Sequence, residues 1–238
     1  MTFRPYPGVT IAVVIMLGVL CGLGFWQLER LSWKVALIAQ VEGNMAAAPL
    51  PLDTMLKMPR DQAQYHRVTL TGAFDHAHEA YAFATAGSAA VYHVLTPFRT
   101  LDGRVLIVDR GAVPKERLDP ASRTAGNVTG PTQVTGVWRN PDAPGAFTPP
   151  PDKSRRIWYA RDLAGIASAD KLTLAAPVVI EADATANPGG WPLGGQTVVS
   201  FRNQHLGYAM TWFGFALCLL GVWLAYHISK GRLAWRSR

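Results

Sequence analysis

Two unbroken apolar stretches bracket a mixed region in this chain. Val9 to Leu28 carries no charge, and Leu206 to Ile228 is interrupted only by His227 near its end. A helix needs roughly 20 such residues to cross a hydrocarbon core. Each stretch therefore predicts a transmembrane helix. Trp26, Arg30, Trp33, Lys34 and Leu37 recur at helical spacing and carry the first helix onward, with no breaker before Gly43.

Between the stretches strands dominate. Pro49 to Pro51 marks a loop, followed by a short helix over Leu52 to Lys57. Tyr65 to Phe74 alternates polar and apolar positions, and Glu79 to Ala84 and Val91 to Arg99 follow it as strands. Asp102-Gly103 predicts a hairpin turn into a compact apolar strand, Arg104 to Asp109. Pro114 to Arg117 reads as a helical turn opening on proline. Thr132 to Arg139, Pro177 to Asp183 and Gln196 to Arg202 are further strands, and Asp162 to Ala169 is a short helix. The Pro/Gly-rich stretches Pro141 to Pro151 and Asn187 to Gly195 read as loops.

The expected fold is a membrane protein with two transmembrane helices flanking an antiparallel β-rich (α+β) extracytoplasmic domain, a curved sheet or partly closed barrel. Its parts are a head over residues 1–8, a span over 9–28, the domain over 29–205, a span over 206–228 and a basic tail over 229–238.

Charge orients this arrangement. The tail carries Lys230, Arg232, Arg236 and Arg238 without an acid, and the head carries Arg4. The positive-inside rule puts both ends in the cytoplasm or mitochondrial matrix. The domain then lies in the periplasm or intermembrane space, in a bacterial or mitochondrial inner membrane. Arg30 and Lys34 oppose the rule but are outnumbered. The first apolar run exceeds the roughly 7–15 residues of a cleaved signal core, which predicts a retained anchor. The net charge of +7 and pI of 9.7 do not make a nucleic-acid binder, because much of the excess lies in the tail. Such a tail suits anionic membrane lipid. Both cysteines, Cys21 and Cys218, fall inside the spans, so the domain has neither a disulfide nor a thiolate site.

Catalytic signatures are missing. There is no Gly-rich phosphate loop, no GxSxG and no HExxH, so no enzyme activity is expected. Ser88, His93 and Asp109 offer the residue types of a hydrolase triad, but no sequence feature brings them together. His76 and His78 share a face if extended, yet two imidazoles alone make a weak metal site, and the segment reads as a solvated turn. His66 and His93 are expected in strands as ordinary polar positions.

The strongest local feature straddles the outer boundary of the second span. On a helix His205, Tyr208, Ala209 and Trp212 share one face. An ionisable residue at a span is a functional candidate, and imidazole is the usual axial ligand of heme iron. The first span offers a counterpart in Gly22, Gly24, Phe25, Trp26, Gln27 and Arg30; the glycines permit close approach of a helix or a flat ring, and Arg30 lies at the depth of His205. Aromatic rings would flank a porphyrin and Arg30 or Lys34 would meet its propionates. The same residues equally suit an interfacial belt of Trp, Tyr and Arg. His227 lies about 33 Å along the helix from His205, too far to share an iron, and reads as interfacial.

The chain resembles the surfeit locus protein 1 family of cytochrome c oxidase assembly factors. The resemblance rests on Leu23 to Arg30 with Trp33-Lys34, on Tyr65 to Phe74, and on Thr96-Pro97 before Asp102-Gly103. It continues through Val108-Asp109-Arg110-Gly111 with Val113-Pro114, Trp158-Tyr159 with Arg161-Asp162, and Asn203 to Phe213. Asp109 and Ala112 stand where the family pattern usually has Asn and Trp, and Pro151 precedes Asp152 where Asn is common.

The resemblance implies help in maturing subunit I of heme a-containing oxidases, a carrier role without bond-making chemistry. It implies heme a as a transient ligand and oxidase subunit I, with heme a synthase, as partners. The expected site is His205 as iron ligand with Tyr208, Trp212, Trp26 and Arg30 around the ring. The alternatives are a scaffold that stabilises an oxidase intermediate without heme, a membrane-tethered enzyme, and a copper-delivery factor working through His76 and His78.

Overall fold

A computed structural model describes residues 2–141, 144–197, 199 and 201–234. Its elements in chain order are β1 (Thr2–Phe3), α1 (Pro7–Ala46), β2 (Leu50–Pro51), α2 (Leu52–Lys57), α3 (Arg60–Ala63), β3 (Arg67–Phe74), β4 (Ala80–Ala86), β5 (Ala89–Thr100), β6 (Val105–Pro114), β7 (Thr132–Arg139), β8 (Ile157–Trp158), α4 (Leu163–Ala169), β9 (Leu174–Ala182), α5 (His205–Ser229) and β10 (Leu233–Ala234). The chain divides into two units, Met1–Gln40 with Ser200–Arg238, and Val41–Val199.

The first unit is built on α1 and α5, both long and apolar enough to cross a membrane. α1 runs 40 residues as one helix, well past the apolar run. The short strands β1 and β10 pair antiparallel.

The second unit is a sheet of order β2-β3-β7-β9-β6-β5-β4-β8 in which β3 also pairs with β5. That extra pairing closes a ring of β3, β7, β9, β6 and β5. An all-antiparallel sheet was expected, but β6 and β9 run parallel. The reason is arithmetic: strand direction alternates around a closed ring only if the strand number is even, so five strands force one parallel contact. The short pairs β2–β3 and β4–β8 are parallel as well.

Closure turns on Gly72, which pairs with Thr132 of β7 and with Thr100 of β5. A Cβ there would lie 2.1 Å from the Arg99 carbonyl oxygen. Only glycine lets the two ladders meet so closely.

Val68, Leu70, Phe98, Leu106, Val108, Val134 and Ile180 fill the ring, with Leu52 and Met55 of α2 packed against them. Each such side chain contributes about 1.5–3 kcal/mol by leaving water. A second cluster lies outside the ring, where Leu163 and Ile166 of α4 meet Leu95, Ile107, Trp158 and Val179. β6 is buried on both faces through nearly its whole length. By the two-residue period of a strand, Arg110 follows Leu106 and Val108 inward while Asp109 follows Ile107 outward.

The expected strand over Gln196 to Arg202 is not present among its described residues; Val198 and Ser200 lie outside them. Just before this segment Leu193 makes an isolated bridge to β6, its N–H and C=O both bonding Ala112 at 2.9 Å. Arg236 and Arg238 of the tail also lie outside the described residues.

Candidate functional site

α1 and α5 pack through small residues. Ala209 and Ala216 are buried, and a Cβ on Gly24 would lie 2.6 Å from the Phe213 ring. Phe213 also meets Phe25 edge-on at 5.4 Å. The space opened by Gly24 is thus filled by a side chain of α5 rather than left for a flat ligand, whereas Gly22 has no atom near its missing Cβ.

His205 begins α5, and its Nδ1 lies 2.7 Å from Gln27 Oε1 of α1. The amide oxygen only accepts, so Nδ1 carries the proton and Nε2 keeps its lone pair. A metal-binding imidazole is held in this way by a second residue.

The other expected site residues divide between two places. Trp212 lies on the face of α5 that carries His205, Ala209 and Ala216, about 20° from His205 around the axis. Tyr208 is half-exposed one turn from His205. Tyr208, Gln204, Gly207 and Thr211 line an open groove of about 400 Å³. Trp26 lies about 200° around α1 from Gly24 and therefore points away from α5. Arg30, one turn from Gln27, sits 5.7 Å from the Trp26 ring and 5.6 Å from the Trp33 ring. The lining residues of this groove do not include His205, Trp212, Trp26 or Arg30.

His227, expected at the membrane interface, lies in the last turn of α5. It is fully buried, accepts the Tyr6 N–H at Nε2 over 3.0 Å and donates from Nδ1 to the Trp223 carbonyl over 2.9 Å. Both ring nitrogens are occupied, so it ties the segment before α1 to α5 rather than offering a ligand.

Of the histidines of the sheet unit, His78 lies in a solvated turn and His93 in a strand as expected, whereas His66 and His76 differ. His76-Ala77-His78 forms a 3-10 turn that separates the two rings. His76 turns inward, with Nδ1 3.2 Å from Glu79 Oε1 and Nε2 donating to Val128 over 2.9 Å. His78 stays outside with Asp75 at 2.8 Å. His66 precedes β3 rather than lying in it. His93 of β5 does reach Asp109 of β6, Nδ1 to Oδ2 at 2.8 Å. Ser88 lies in the turn five residues along β5, about 16 Å away at strand rise, so no triad forms.

Two buried charge clusters were not anticipated. Glu79 receives Arg123 Nη2 at 2.6 Å and Arg110 Nη1 at 3.1 Å, and all three residues are buried. Burial alone would raise the Glu79 carboxyl, but bonds from His76 and Arg123 and the charges of Arg123 and Arg110 bring it down to about 2. Tyr81 beside it is pushed up to about 12 by burial and the Glu79 charge. Outside the ring Arg161 bridges Asp109 at 3.1 Å and Glu181 at 2.8 Å. Burial acts to raise Asp109, yet the His93 bond and the neighbouring positive charges hold it below the usual carboxylate range. The one signal in the sequence was Asp109-Arg110 inside an otherwise apolar strand.

Known proteins share this pattern along most of the chain. Surfeit locus protein 1 of Mus musculus is 35% identical over 225 residues, covering 88% of this chain and 72% of the mouse protein. Surfeit locus protein 1 of Homo sapiens is 32% identical over 219 residues, with 85% and 72% covered. A SURF1-like protein of Monosiga brevicollis is 36% identical over 218 residues, with 85% and 81% covered. The SURF1 family profile matches residues 14–217, from the third turn of α1 to the middle of α5, and so takes in most of the first helix, the ring domain and half of the second helix; the chain belongs to the SURF1 family.

Proposed function

We propose that this protein assists assembly of cytochrome c oxidase from within an inner membrane, bacterial or mitochondrial, by holding heme a as cargo for insertion into subunit I. Membership in the SURF1 family supports the assembly role. α1 and α5 are the two spans, and the arginine and lysine after α5 keep both termini on the cytoplasmic or matrix side. The ring domain then works in the periplasm or intermembrane space, where it docks on the oxidase subunit or on heme a synthase.

The observation that carries the cargo reading is the His205–Gln27 bond of 2.7 Å. Heme a would supply an iron that takes one axial imidazole, and His205 Nε2 is the donor. Tyr208 and Trp212 flank the ring, Arg30 meets the propionates, and lipid takes the hydrophobic tail, while Trp26, turned away from α5, takes no part. This is binding and release, with no bond made or broken in the cargo.

The test is an absorption spectrum of detergent-purified protein from cells that make heme a, beside His205→Ala. Soret and α bands present in the wild type and lost in the variant support a carrier. Stoichiometric heme with an unchanged spectrum in the variant removes His205 as ligand. A folded but colourless wild type makes the protein a scaffold acting through protein contacts alone.

A further inference from the structure

The end of the helix pair remote from His205 holds two arginines that the proposed role does not use. β1 and β10 pair antiparallel, Thr2 with Ala234 and Phe3 with Leu233. The Arg4 N–H extends this ladder to the Arg232 carbonyl at 3.0 Å. Arg4 and Arg232 therefore stand directly opposite each other, with Cβ atoms about 4.5–5.5 Å apart on one face. Like charges in that position repel. The pairing is nevertheless tied down. The Arg232 N–H bonds the His227 carbonyl at 2.8 Å, and the Tyr6 N–H bonds His227 Nε2 at 3.0 Å. The Arg232 guanidinium lies over the Tyr6 ring, 4.4 Å from its centroid, which limits how it can turn.

Residues 1–28 and 205–238 hold no Asp or Glu. Neither guanidinium makes a hydrogen bond or ion pair with another described residue. The last carbonyls of α5 do not need them, since Tyr226, His227 and Ile228 accept the backbone N–H groups of Lys230, Arg232 and Gly231. An anion between the two arginines turns their repulsion into attraction, and paired guanidinium groups match the oxygens of a phosphate. The neighbouring side chains select the kind of phosphate. Phe3, next to Arg4, is 68% exposed and Ile228 is 60% exposed. Apolar groups beside the cations suit a phosphate that carries acyl chains rather than a soluble one.

We infer that Arg4 and Arg232 clasp the phosphodiester of one anionic phospholipid of the cytoplasmic or matrix leaflet, with Tyr6 positioning Arg232. The site rests on the reading of α1 and α5 as spans with both termini on that side. It differs from the diffuse attraction of a basic tail. It needs head and tail paired, and it gives no part to Arg236 or Arg238.

The test reconstitutes full-length protein with phosphatidylcholine and phosphatidylglycerol and counts retained lipid by native mass spectrometry. Wild type is expected to keep one phosphatidylglycerol. Arg4→Gln and Arg232→Gln should each retain it about five- to tenfold less. Tyr6→Leu should also bind more weakly although both charges remain, whereas Tyr6→Phe keeps the ring and should bind as wild type does. Arg236→Gln/Arg238→Gln should lose nothing. An equal loss in that tail variant and in Arg232→Gln means diffuse attraction and overturns the inference. So does a wild type that keeps the two lipids without preference. Displacement of the lipid by excess inorganic phosphate would make this a soluble-anion site and overturn it as well. Carbonate extraction separates the two readings. Protein released from the membrane removes the spans and this site together, while protein that stays inserted but keeps no phosphatidylglycerol overturns this inference alone.

Discussion

His205 and Gln27 lie 178 positions apart in sequence and 2.7 Å apart in space, Nδ1 to Oε1, and this contact decides which nitrogen of the imidazole is free. Gln27→Leu removes the acceptor and leaves the ring able to rotate and to change tautomer. Heme affinity should fall by about 10–100-fold, the usual cost of losing a residue that orients a metal ligand. Gln27→Glu keeps an acceptor and should bind at least as tightly as wild type. Dissociation of hemin to an apomyoglobin scavenger reads both. Equal release rates for wild type and Gln27→Leu would show that the bond does not serve ligation.

Gly72→Ala should open the ring. The added Cβ would fall 2.1 Å from the Arg99 carbonyl oxygen, and that atom is backbone, fixed by the β3–β5 pairing. The expected loss is about 1–3 kcal/mol, the cost of overpacking a site that has no slack. Gly87 is a useful control, since no atom lies within 4 Å of a Cβ there. Its positive φ of 62° adds some strain of its own, so its loss sets the baseline. Urea denaturation followed by circular dichroism compares the two, and an equal loss in both would mean the close approach at Gly72 is not a constraint.

Much of the fold was legible because the sequence signals were local. Leu52–Lys57 and Thr132–Arg139 form the helix and strand expected of them, and Gly103 makes the hairpin turn between β5 and β6. The strand expected after Gln196 was not legible. Alternation reports that a segment suits a sheet, but not that a neighbouring strand is there to pair with it, and Leu193 just before it makes only an isolated bridge to Ala112. The site divides in the same way. His205 stood out as a polar residue at the edge of an apolar run. Its partner Gln27 depends on how two helices align, and the His93–Asp109 pair depends on strand register and a bulge between His93 and Leu95. Register across a ladder sixteen residues apart leaves no mark in composition or period.

His227 holds Tyr6 by accepting its N–H at 3.0 Å, and Arg4 N–H bonds Arg232 beside it at 3.0 Å. His227→Phe fills the volume but leaves the Tyr6 N–H unpaired. An unpaired buried donor costs about 1–3 kcal/mol. The segment before α1 should therefore open about tenfold more often. Tryptic cleavage after Arg4 in detergent, followed by mass spectrometry, should accelerate by that factor. His227→Gln offers an amide oxygen to the same N–H and should restore part of the protection. No change in the cleavage rate for His227→Phe would mean that Arg4 and Arg232 alone hold the segment.

Glu79 is, among the described residues, the one carboxylate paired with both Arg110 and Arg123, so its charge should govern acid stability. In the fold its pKa is about 2, against 4.5 for the free side chain. A group whose pKa is lowered on folding contributes fully above the unfolded value and loses that contribution as pH falls toward the folded one. Wild type should therefore lose stability steadily between about pH 4.5 and pH 2, and part of that slope belongs to Glu79. Glu79→Gln removes the titration and leaves two buried guanidinium groups without a counter-charge. Breaking a buried pair in this way costs about 3–5 kcal/mol, so the variant should be much weaker at pH 7. Its stability should also change less than that of wild type over the acid window. Arg123→Met separates the two effects: it removes one positive charge as well as the 2.6 Å bond, so its loss at pH 7 should be smaller than that of Glu79→Gln. Parallel pH profiles for wild type and Glu79→Gln would mean that the carboxyl is not held below its ordinary range.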